Sequence, residues 1–283
     1  MPLFEGIDPP LPTAVTIFKD SEPCFAGTRV QPNYVTFHGF IGDDGAQLHT
    51  QPDPEPAHKI EFLGDSITAG FDNCCDVADY HKPDGHLSSS SSFERSWATK
   101  ICQSLDGECH YTAWSGFGMV RNCCGGATLG SDVWQRTLAT VGSANASDPH
   151  STTSENAWNF SAWTAEAVVI NLGTNDHLGS TAIIESFNST YEALVVAAAK
   201  VYGSDTHFFL ACGPMSDSYC AEIDWVIARV TAQGLKASLL DQRGFINSNN
   251  TYGRACAYGH PGSHIDTAMA QNGSAFIKQT MGW

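Results

Sequence analysis

Basic residues are scarce in this chain, which carries 14 lysines and arginines against 30 aspartates and glutamates over 283 residues. The formal charge of −16 argues against nucleic acid or an anionic membrane surface as a partner, because both would repel the protein. No apolar run approaches the ~20 residues that are needed to span a bilayer. We therefore expect a soluble monomer without nucleic-acid or membrane partners, whose substrate is neutral or weakly charged.

The ten cysteines include no C-x-x-C pair, although zinc sites usually have closely spaced ligands. Structural disulfides are therefore the favoured interpretation, and they are typical of secreted proteins. Five Asn-x-Ser/Thr sequons favour the same secretory route and predict a glycoprotein. They begin at Asn145, Asn159, Asn188, Asn249 and Asn272. Residues 1–15 have neither the basic nor the apolar region of a signal peptide, so we expect that signal upstream of this start or trimmed away.

Residues 1–56 differ in character from the rest of the chain. Short β-prone stretches at 14–18, 28–30 and 34–40 are separated by proline, glycine and aspartate. The stretch QPDPEPA is a linker, because three prolines in seven residues cannot extend a helix or a central strand. We interpret 1–56 as a few strands that lean on the main domain, or as the remnant of a larger β-sandwich, and 57–283 as the main domain.

Strand and helix patterns alternate after the linker. The clearest strand is AEAVVINL, a continuous apolar run typical of a strand that is buried on both faces. Five strands are predicted at 59–63, 108–113, 165–172, 207–211 and 235–240, and helices at 93–105, 132–141, 181–202, 221–233 and 264–280. This alternation predicts an α/β fold in which helices cover both faces of a parallel sheet, with ligands at the carboxyl ends of its strands.

The first of these strands runs into GDSITAG, where Ser66 begins a helix. The flanking glycines allow a sharp turn that exposes the serine hydroxyl, and free helical N–H groups favour developing negative charge. Ser66 is thus a candidate nucleophile, and the alternative is an N-cap serine beside an ordinary glycine turn. We expect the neighbouring Asp65 and Asp176 to brace the loops by hydrogen bonds.

Three further residues fall at the same edge of the sheet. Gly116 follows the second strand within WSGFG, and Asn175 follows the third within GTND. The Gly116 N–H and the Asn175 side-chain amide are placed to join the Ser66 N–H around an oxyanion. His260 comes just before the last helix, where it is placed to accept the serine proton as a general base.

The blocks GDSIT, SGFG, GTND and HP, in this order, resemble those of the SGNH (GDSL) hydrolase superfamily. The resemblance covers residues 58–283 and implies a three-layer α/β/α, flavodoxin-like fold with a five-stranded parallel sheet. It implies that Ser66 is the nucleophile and His260 the base, in chemistry that needs no cofactor. It also implies that Gly116 and Asn175 are oxyanion donors. The chain has no G-x-S-x-G elbow, which argues against the α/β-hydrolase alternative.

A narrower resemblance, to carbohydrate esterase family 2, is carried by WSGFGMVRN, VVINLGTND and the lead-in FKDSEP…GFIGDDG…HKIEFLGDSITAG. Members of that family are acetyl esterases that act on xylan, glucomannan and related sugars, and they join an N-terminal β-sandwich to an SGNH domain. The resemblance implies a secreted serine esterase for acetyl groups on carbohydrate hydroxyls, with 1–56 as the tail of the sandwich. Aromatic faces suit sugar rings, so we predict that Trp114, Phe117 and Tyr258 line the substrate site.

One loop departs from the superfamily pattern. The usual acid precedes the histidine by two or three residues, but those positions hold Tyr258 and Ala257 here. We therefore predict a Ser66–His260 dyad whose imidazole is oriented by a backbone carbonyl, as in family members without the acid, and a slower enzyme. His264 forms an H-x-x-x-H pair with His260, yet we expect it to pack at the helix start rather than bind a metal.

Cysteine pairing stays open at the level of the sequence. The doublets at 74–75 and 123–124 follow neighbouring motif loops, so we hypothesise one or two disulfides between them. Cys102 with Cys109 is a second candidate pair. Three further cysteines have open pairing around the histidine loop: Cys212, Cys220 and Cys256.

Three other functions are alternatives to the acetyl esterase. A lipase or thioesterase of the same fold would act on longer acyl chains and would need a broad apolar cleft. A non-catalytic carbohydrate-binding glycoprotein would have kept the fold and lost the acid, although intact Ser66, Asn175 and His260 weigh against it. A disulfide-rich structural glycoprotein would explain the cysteines but not the four ordered motifs.

Overall fold

A computed structural model describes residues 20, 25–26, 29–30, 39, 56–75, 90–137, 157–177 and 184–283. A short antiparallel pair, Phe25–Ala26 (β1) and Arg29–Val30 (β2), lies in the N-terminal segment. Most of that segment lies outside the described residues. Its assignment to a β-sandwich, and the boundary between 56 and 57, therefore stay predictions.

The main sheet has five parallel strands. They are β3 (His58–Gly64), β4 (Gly107–Ala113), β5 (Ala167–Asn171), β6 (His207–Cys212) and β7 (Lys236–Asp241). Their order across the sheet is β4-β3-β5-β6-β7. This is the flavodoxin-like order, in which the switch point between β3 and β5 is the expected ligand position. The predicted three-layer α/β/α fold is confirmed.

Apolar residues on both faces of the strands explain why this sheet is an inner layer. Every residue of β5 is buried. Val168 and Ile170 pack into the core on one face, whereas Ala167 and Val169 pack into the core on the other. Because successive side chains of a strand point to opposite faces, a continuous apolar run needs helices on both sides.

The helices supply those two covering layers. They are α1 (Ser66–Ala69), α2 (Trp97–Ser104), α3 (Gly130–Val133), α4 (Thr174–His177), α5 (Phe187–Tyr202), α6 (Cys220–Ala232) and α7 (Ser263–Met281), with 3₁₀ turns at Phe160–Ala162 and Ala257–Gly259. Side chains of α5 and α6 belong to one core, and those of α2 and α7 to the other. In the described part of the chain, every helix is too short or too polar for a membrane span.

Three predicted helices differ from the structure. The helix predicted over 93–105 begins at Trp97. The helix predicted over 132–141 is wrong at 134–137, because α3 is a single turn that begins at Gly130 and ends at Val133; residues 138–141 lie outside the described residues. The Asp132 carboxylate accepts the Leu129 N–H at 2.8 Å at the start of this turn. The chain then turns, and Arg136 pairs with Ala157 in an isolated bridge. The helix predicted over 181–202 begins at Phe187, and residues 178–183 lie outside the described residues.

Candidate active site

Ser66 and His260 are brought together from positions 194 residues apart in the chain. Nε2 of His260 is 2.7 Å from Ser66 Oγ, and both residues are buried. Nδ1 of the same ring is 2.9 Å from the Ala257 carbonyl oxygen. Because a carbonyl only accepts, Nδ1 carries the proton and Nε2 is left to accept the serine O–H. This is the arrangement that general-base activation of a serine requires.

The turn after β3 places the serine hydroxyl. Asp65 caps α1, since its Oδ1 accepts the Ile67 N–H at 2.9 Å. Gly70 ends the helix with a left-handed φ of +74°, and a Cβ there would collide with the Ser92 carbonyl. A Cβ on Gly64 would collide with the Thr68 side chain in the same way. Both glycines of the motif are therefore required by close packing around Ser66.

A tight turn from Cys256 to His260 places the imidazole. Its ends are joined by a hydrogen bond from the Cys256 N–H to the His260 carbonyl at 2.7 Å. A disulfide links Cys256 to Cys75, and the Arg254 guanidinium donates to the Cys75 carbonyl at 2.9 Å. The histidine turn is thus fastened to the segment that follows the serine helix.

The environment of His260 favours its neutral form. Burial lowers the pKa of His260, and the Ala257 hydrogen bond and the negative charge of Asp72 oppose that effect only in part. The ring also packs against Phe71, with centroids 4.8 Å apart. At neutral pH the imidazole is therefore uncharged and ready to accept a proton.

The loop after β4 presents Gly116 at the same edge of the sheet. Gly116 has a φ of +83°, and among the described residues neither its N–H nor that of Ser66 donates to an acceptor. Asp176 holds this loop, because its carboxylate accepts three backbone N–H groups. They belong to Met119 at 2.8 Å, Val120 at 2.7 Å and Arg121 at 2.9 Å. Burial raises the pKa of Asp176, and these three hydrogen bonds oppose the increase.

Asn175 lies between the serine turn and the Gly116 loop. Its Nδ2 donates to Asp65 Oδ2 at 3.1 Å and to the Phe117 carbonyl at 2.7 Å. A side-chain amide has two hydrogens, so both already have acceptors. Donation to an oxyanion, the role predicted from the sequence, would require Asn175 to release one of them.

The three aromatic candidates lie in different environments. Tyr258, two residues before His260, is 80% exposed and has a left-handed φ of +57°. Trp114 is half-buried and meets Phe117 edge-on, with centroids 5.1 Å apart. Phe117 itself is only 7% exposed. A role for Phe117 in the substrate wall stays a prediction, as do those of Trp114 and Tyr258.

The described disulfides correct the pairing hypothesis. Cys102–Cys109 is confirmed. Disulfides between the two doublets are wrong, because Cys123 bonds its neighbour Cys124 and Cys75 bonds Cys256 of the histidine turn. The remaining described pair is Cys212–Cys220. Cys75 therefore faces the histidine loop rather than the Gly116 loop.

His264 lies in the first turn of α7 and is exposed, whereas His260 is buried beside Ser66. Within the described residues, no group of three or more histidine, cysteine, aspartate or glutamate side chains is arranged to hold a metal ion.

Two curated proteins with a similar sequence are named as esterases that also act on polysaccharides. The cellulase/esterase CelE of Acetivibrio thermocellus is 30% identical over 90% of this chain, which spans only 29% of that protein. The acetylxylan esterase / glucomannan deacetylase of Cellvibrio japonicus is 26% identical over 90% of this chain and 68% of its own length. No protein-family model matches the chain.

A solved structure is similar to this chain over most of its length. It is a family two carbohydrate esterase from Clostridium thermocellum in complex with cellohexaose, 29% identical, with a TM-score of 0.67 over 84% of this chain and 68% of that one. The chain is similar in sequence and fold to enzymes of carbohydrate esterase family 2. A family 2 enzyme with a carbohydrate-binding domain from Corynascus thermopiles (Myceliophthora fergusii), 24% identical over 87% of this chain and 72% of its own, shares the fold with a TM-score of 0.66. The resemblance read from the motif blocks is confirmed.

Sequence reasoning missed two residues of the family 2-like site. A backbone carbonyl was expected beside His260, but its owner, Ala257, was not identified. Asp72 was not considered, although it is buried in the turn after the serine helix and accepts the Ala257 N–H at 2.9 Å. The missing acid in the histidine loop was the available signal, since it calls for a carboxylate from another segment.

Proposed function

We propose that this chain is a secreted serine esterase that removes small acyl groups, acetyl in particular, from carbohydrate hydroxyls. The observation that carries the proposal is the 2.7 Å contact between Ser66 Oγ and His260 Nε2, with Nδ1 held on a carbonyl. A serine that served only as an N-cap would not need an imidazole whose tautomer is fixed to accept its proton.

In the proposed reaction, Ser66 Oγ attacks the ester carbonyl while His260 Nε2 takes the hydroxyl proton. The backbone N–H groups of Ser66 and Gly116 stabilise the oxyanion, each donor being worth roughly 3 kcal/mol. When the intermediate collapses, His260 returns the proton to the departing sugar oxygen and an acyl-serine remains. Water then attacks that ester with His260 as base, which releases the carboxylic acid and restores Ser66.

Aromatic side chains beside the site residues support a carbohydrate alcohol as the leaving group. Tyr258 lies two residues before His260 and Trp114 lies two residues before Gly116, and both rings offer aromatic faces for a sugar. The relatives support the same class, because one is named an acetylxylan esterase / glucomannan deacetylase and one structure holds cellohexaose. The disulfides fit secretion.

Hydrolysis of p-nitrophenyl acetate by the wild type, Ser66→Ala and Ser248→Ala tests the proposal. Ser248 is an exposed serine beyond β7 and serves as the matched control. We expect turnover to disappear in Ser66→Ala and to persist in Ser248→Ala. Equal turnover by the wild type and Ser66→Ala would overturn the enzyme proposal, and faster hydrolysis of octanoate than of acetate would favour the lipase alternative. Binding of xylan without any turnover would indicate the non-catalytic alternative.

A further inference from the structure

Asp72 lies in the turn that follows the serine helix, six residues after Ser66. It is 1% exposed and has a left-handed φ of +52°. Its backbone N–H donates to Ser91 Oγ at 2.7 Å, and its Oδ1 accepts the Ser90 hydroxyl. Asparagine and aspartate tolerate this backbone conformation better than most residues. The carboxylate is therefore held in a fixed orientation.

The other carboxylate oxygen points to the histidine turn. Oδ2 of Asp72 accepts the Ala257 N–H at 2.9 Å, and the carbonyl of the same Ala257 accepts His260 Nδ1 at 2.9 Å. A single residue thus connects the carboxylate to the imidazole. The Cys75–Cys256 disulfide fixes the same two segments three residues beyond Asp72 and one residue before Ala257.

We propose that Asp72 is the positioning residue of the dyad, which supplies from the serine side the support that an acid in the histidine loop would give. It holds Ala257 so that the carbonyl meets Nδ1, and it places a negative charge near the ring. Asp72 acts through Ala257 and does not contact the reacting atoms. This inference rests on the proposed esterase function of Ser66 and His260.

The charges around the turn are consistent with this role. Asp72 is the charged group that raises the pKa of His260, against the larger lowering by burial. Asp65 caps α1, and Asp266 of α7 accepts from Asn73 at 2.9 Å. Two cationic groups among the described residues also contact these segments: the Arg254 guanidinium donates to the Cys75 carbonyl, and Lys100 of α2 donates to the Ser263 carbonyl at 3.1 Å.

Asp72→Asn separates charge from shape. Asparagine keeps the size, the tolerance for positive φ and an acceptor for the Ala257 N–H, but it removes the negative charge. The matched control is Asp106→Asn, because Asp106 also has a φ of +52° yet is exposed between α2 and β4. Asp72→Ala removes both the charge and the acceptor.

Two readouts test the proposal. In Asp72→Asn we expect the acidic limb of the kcat/KM profile to move down by roughly half a pH unit or more, since an opposite charge near the ring is lost. We expect kcat to fall about 10-fold, and further in Asp72→Ala, while Asp106→Asn matches the wild type. If Asp72→Asn keeps the wild-type pH profile and kcat, Asp72 has a purely structural role and the proposal is overturned. This holds whether or not the melting temperature of the variant is lower.

NMR titration of the His260 ring gives the second readout, which does not depend on turnover. We expect a lower His260 pKa in Asp72→Asn than in the wild type, and an unchanged pKa would overturn the inference. Failure of the proposed esterase function would give a different result. In that case Ser66→Ala would turn over substrate as fast as the wild type, whatever the His260 titration shows.

Discussion

The Ala257 carbonyl oxygen accepts two hydrogen bonds from His260, one from Nδ1 at 2.9 Å and one from the backbone N–H at 3.2 Å. The ring and the backbone of the histidine are therefore fixed on the same neighbour. A carbonyl sets the tautomer as a carboxylate would, but it carries no full charge to stabilise an imidazolium. The structure thus separates orientation of the base from stabilisation of its charged form.

The first prediction concerns the pH dependence of hydrolysis. The base acts when neutral, and burial lowers the pKa of His260 from its ordinary 6.5, so the neutral form persists to lower pH. We expect kcat/KM to stay constant through neutral pH and to decrease only below 6.5. A pH profile with p-nitrophenyl acetate checks this, and an acidic limb above 6.5 would contradict it.

Replacing His260 and His264 one at a time tests which of the two histidines is the general base. We expect His260→Ala to lose about 10²- to 10⁴-fold in kcat, the usual contribution of a general base. His264→Ala, on the exposed first turn of α7, is the matched control and should retain activity. Equal losses in both variants, together with inhibition by a chelator, would point to a metal instead.

The second prediction assigns Tyr258 to the sugar. Because this ring is 80% exposed beside the histidine, Tyr258→Ala should raise KM for an acetylated xylo-oligosaccharide by roughly 2- to 10-fold, as expected for loss of one stacking contact. It should leave hydrolysis of p-nitrophenyl acetate unchanged. Tyr252→Ala, which removes another exposed tyrosine, should alter neither. Equal effects on both substrates would argue against sugar binding.

The third prediction compares two disulfides. Cys75–Cys256 spans 181 residues and Cys102–Cys109 spans 7, so the chain-entropy model predicts about 5 and about 2 kcal/mol of stabilisation. We expect the double serine variant of the first pair to lose more stability. It should also lose activity at temperatures where it stays folded, because Cys256 adjoins Ala257. Denaturant melts and turnover of both double variants check this, and equal activity would show that the histidine turn holds without the disulfide.

The fourth prediction concerns Glu61, which is buried within β3. Burial raises the pKa of Glu61 to about 7, an effect that the neighbouring Tyr202 hydroxyl opposes. Between the ordinary value of 4.5 and about 7 the unfolded chain holds fewer protons, so stability decreases as pH rises. Glu61→Gln mimics the protonated form. Its free energy of unfolding relative to the wild type should therefore rise by roughly 2 to 3 kcal/mol when the pH is raised from about 5 to about 8. Urea melts of both proteins at the two pH values measure this. An equal difference in unfolding free energy at the two pH values would contradict the prediction.

The strands were predictable because their apolar character is local. Residues 165–172 read as a strand buried on both faces, and the structure has β5 at Ala167–Asn171. The helix predicted at 132–141 ends at Val133 in the structure, and Arg136 instead pairs with Ala157, a contact between distant residues that no local pattern shows. Four ordered blocks placed Ser66 and His260 at one edge of the sheet.

Contacts between distant segments were not predictable. Neighbouring loops suggested that the doublets would bond each other, but Cys75 instead meets Cys256, 181 residues away. The bond from Asp72 to Ala257 depends on the same approach of two loops. The side-chain amide of Asn175 likewise donates to Asp65 and to the Phe117 carbonyl, and these contacts form only when distant segments fold together.

Covalent titration with a small alkyl fluorophosphonate tests directly whether Ser66 is the activated nucleophile, because the reagent forms a stable adduct only with such a group. Residual turnover of p-nitrophenyl acetate is measured against phosphonate incorporated, and peptide mapping locates the adduct. We predict that activity disappears at one phosphonate per chain, that the adduct is on Ser66, and that His260→Ala is labelled far more slowly. Complete inactivation by an adduct on another residue, or full activity after Ser66 is labelled, would contradict the account.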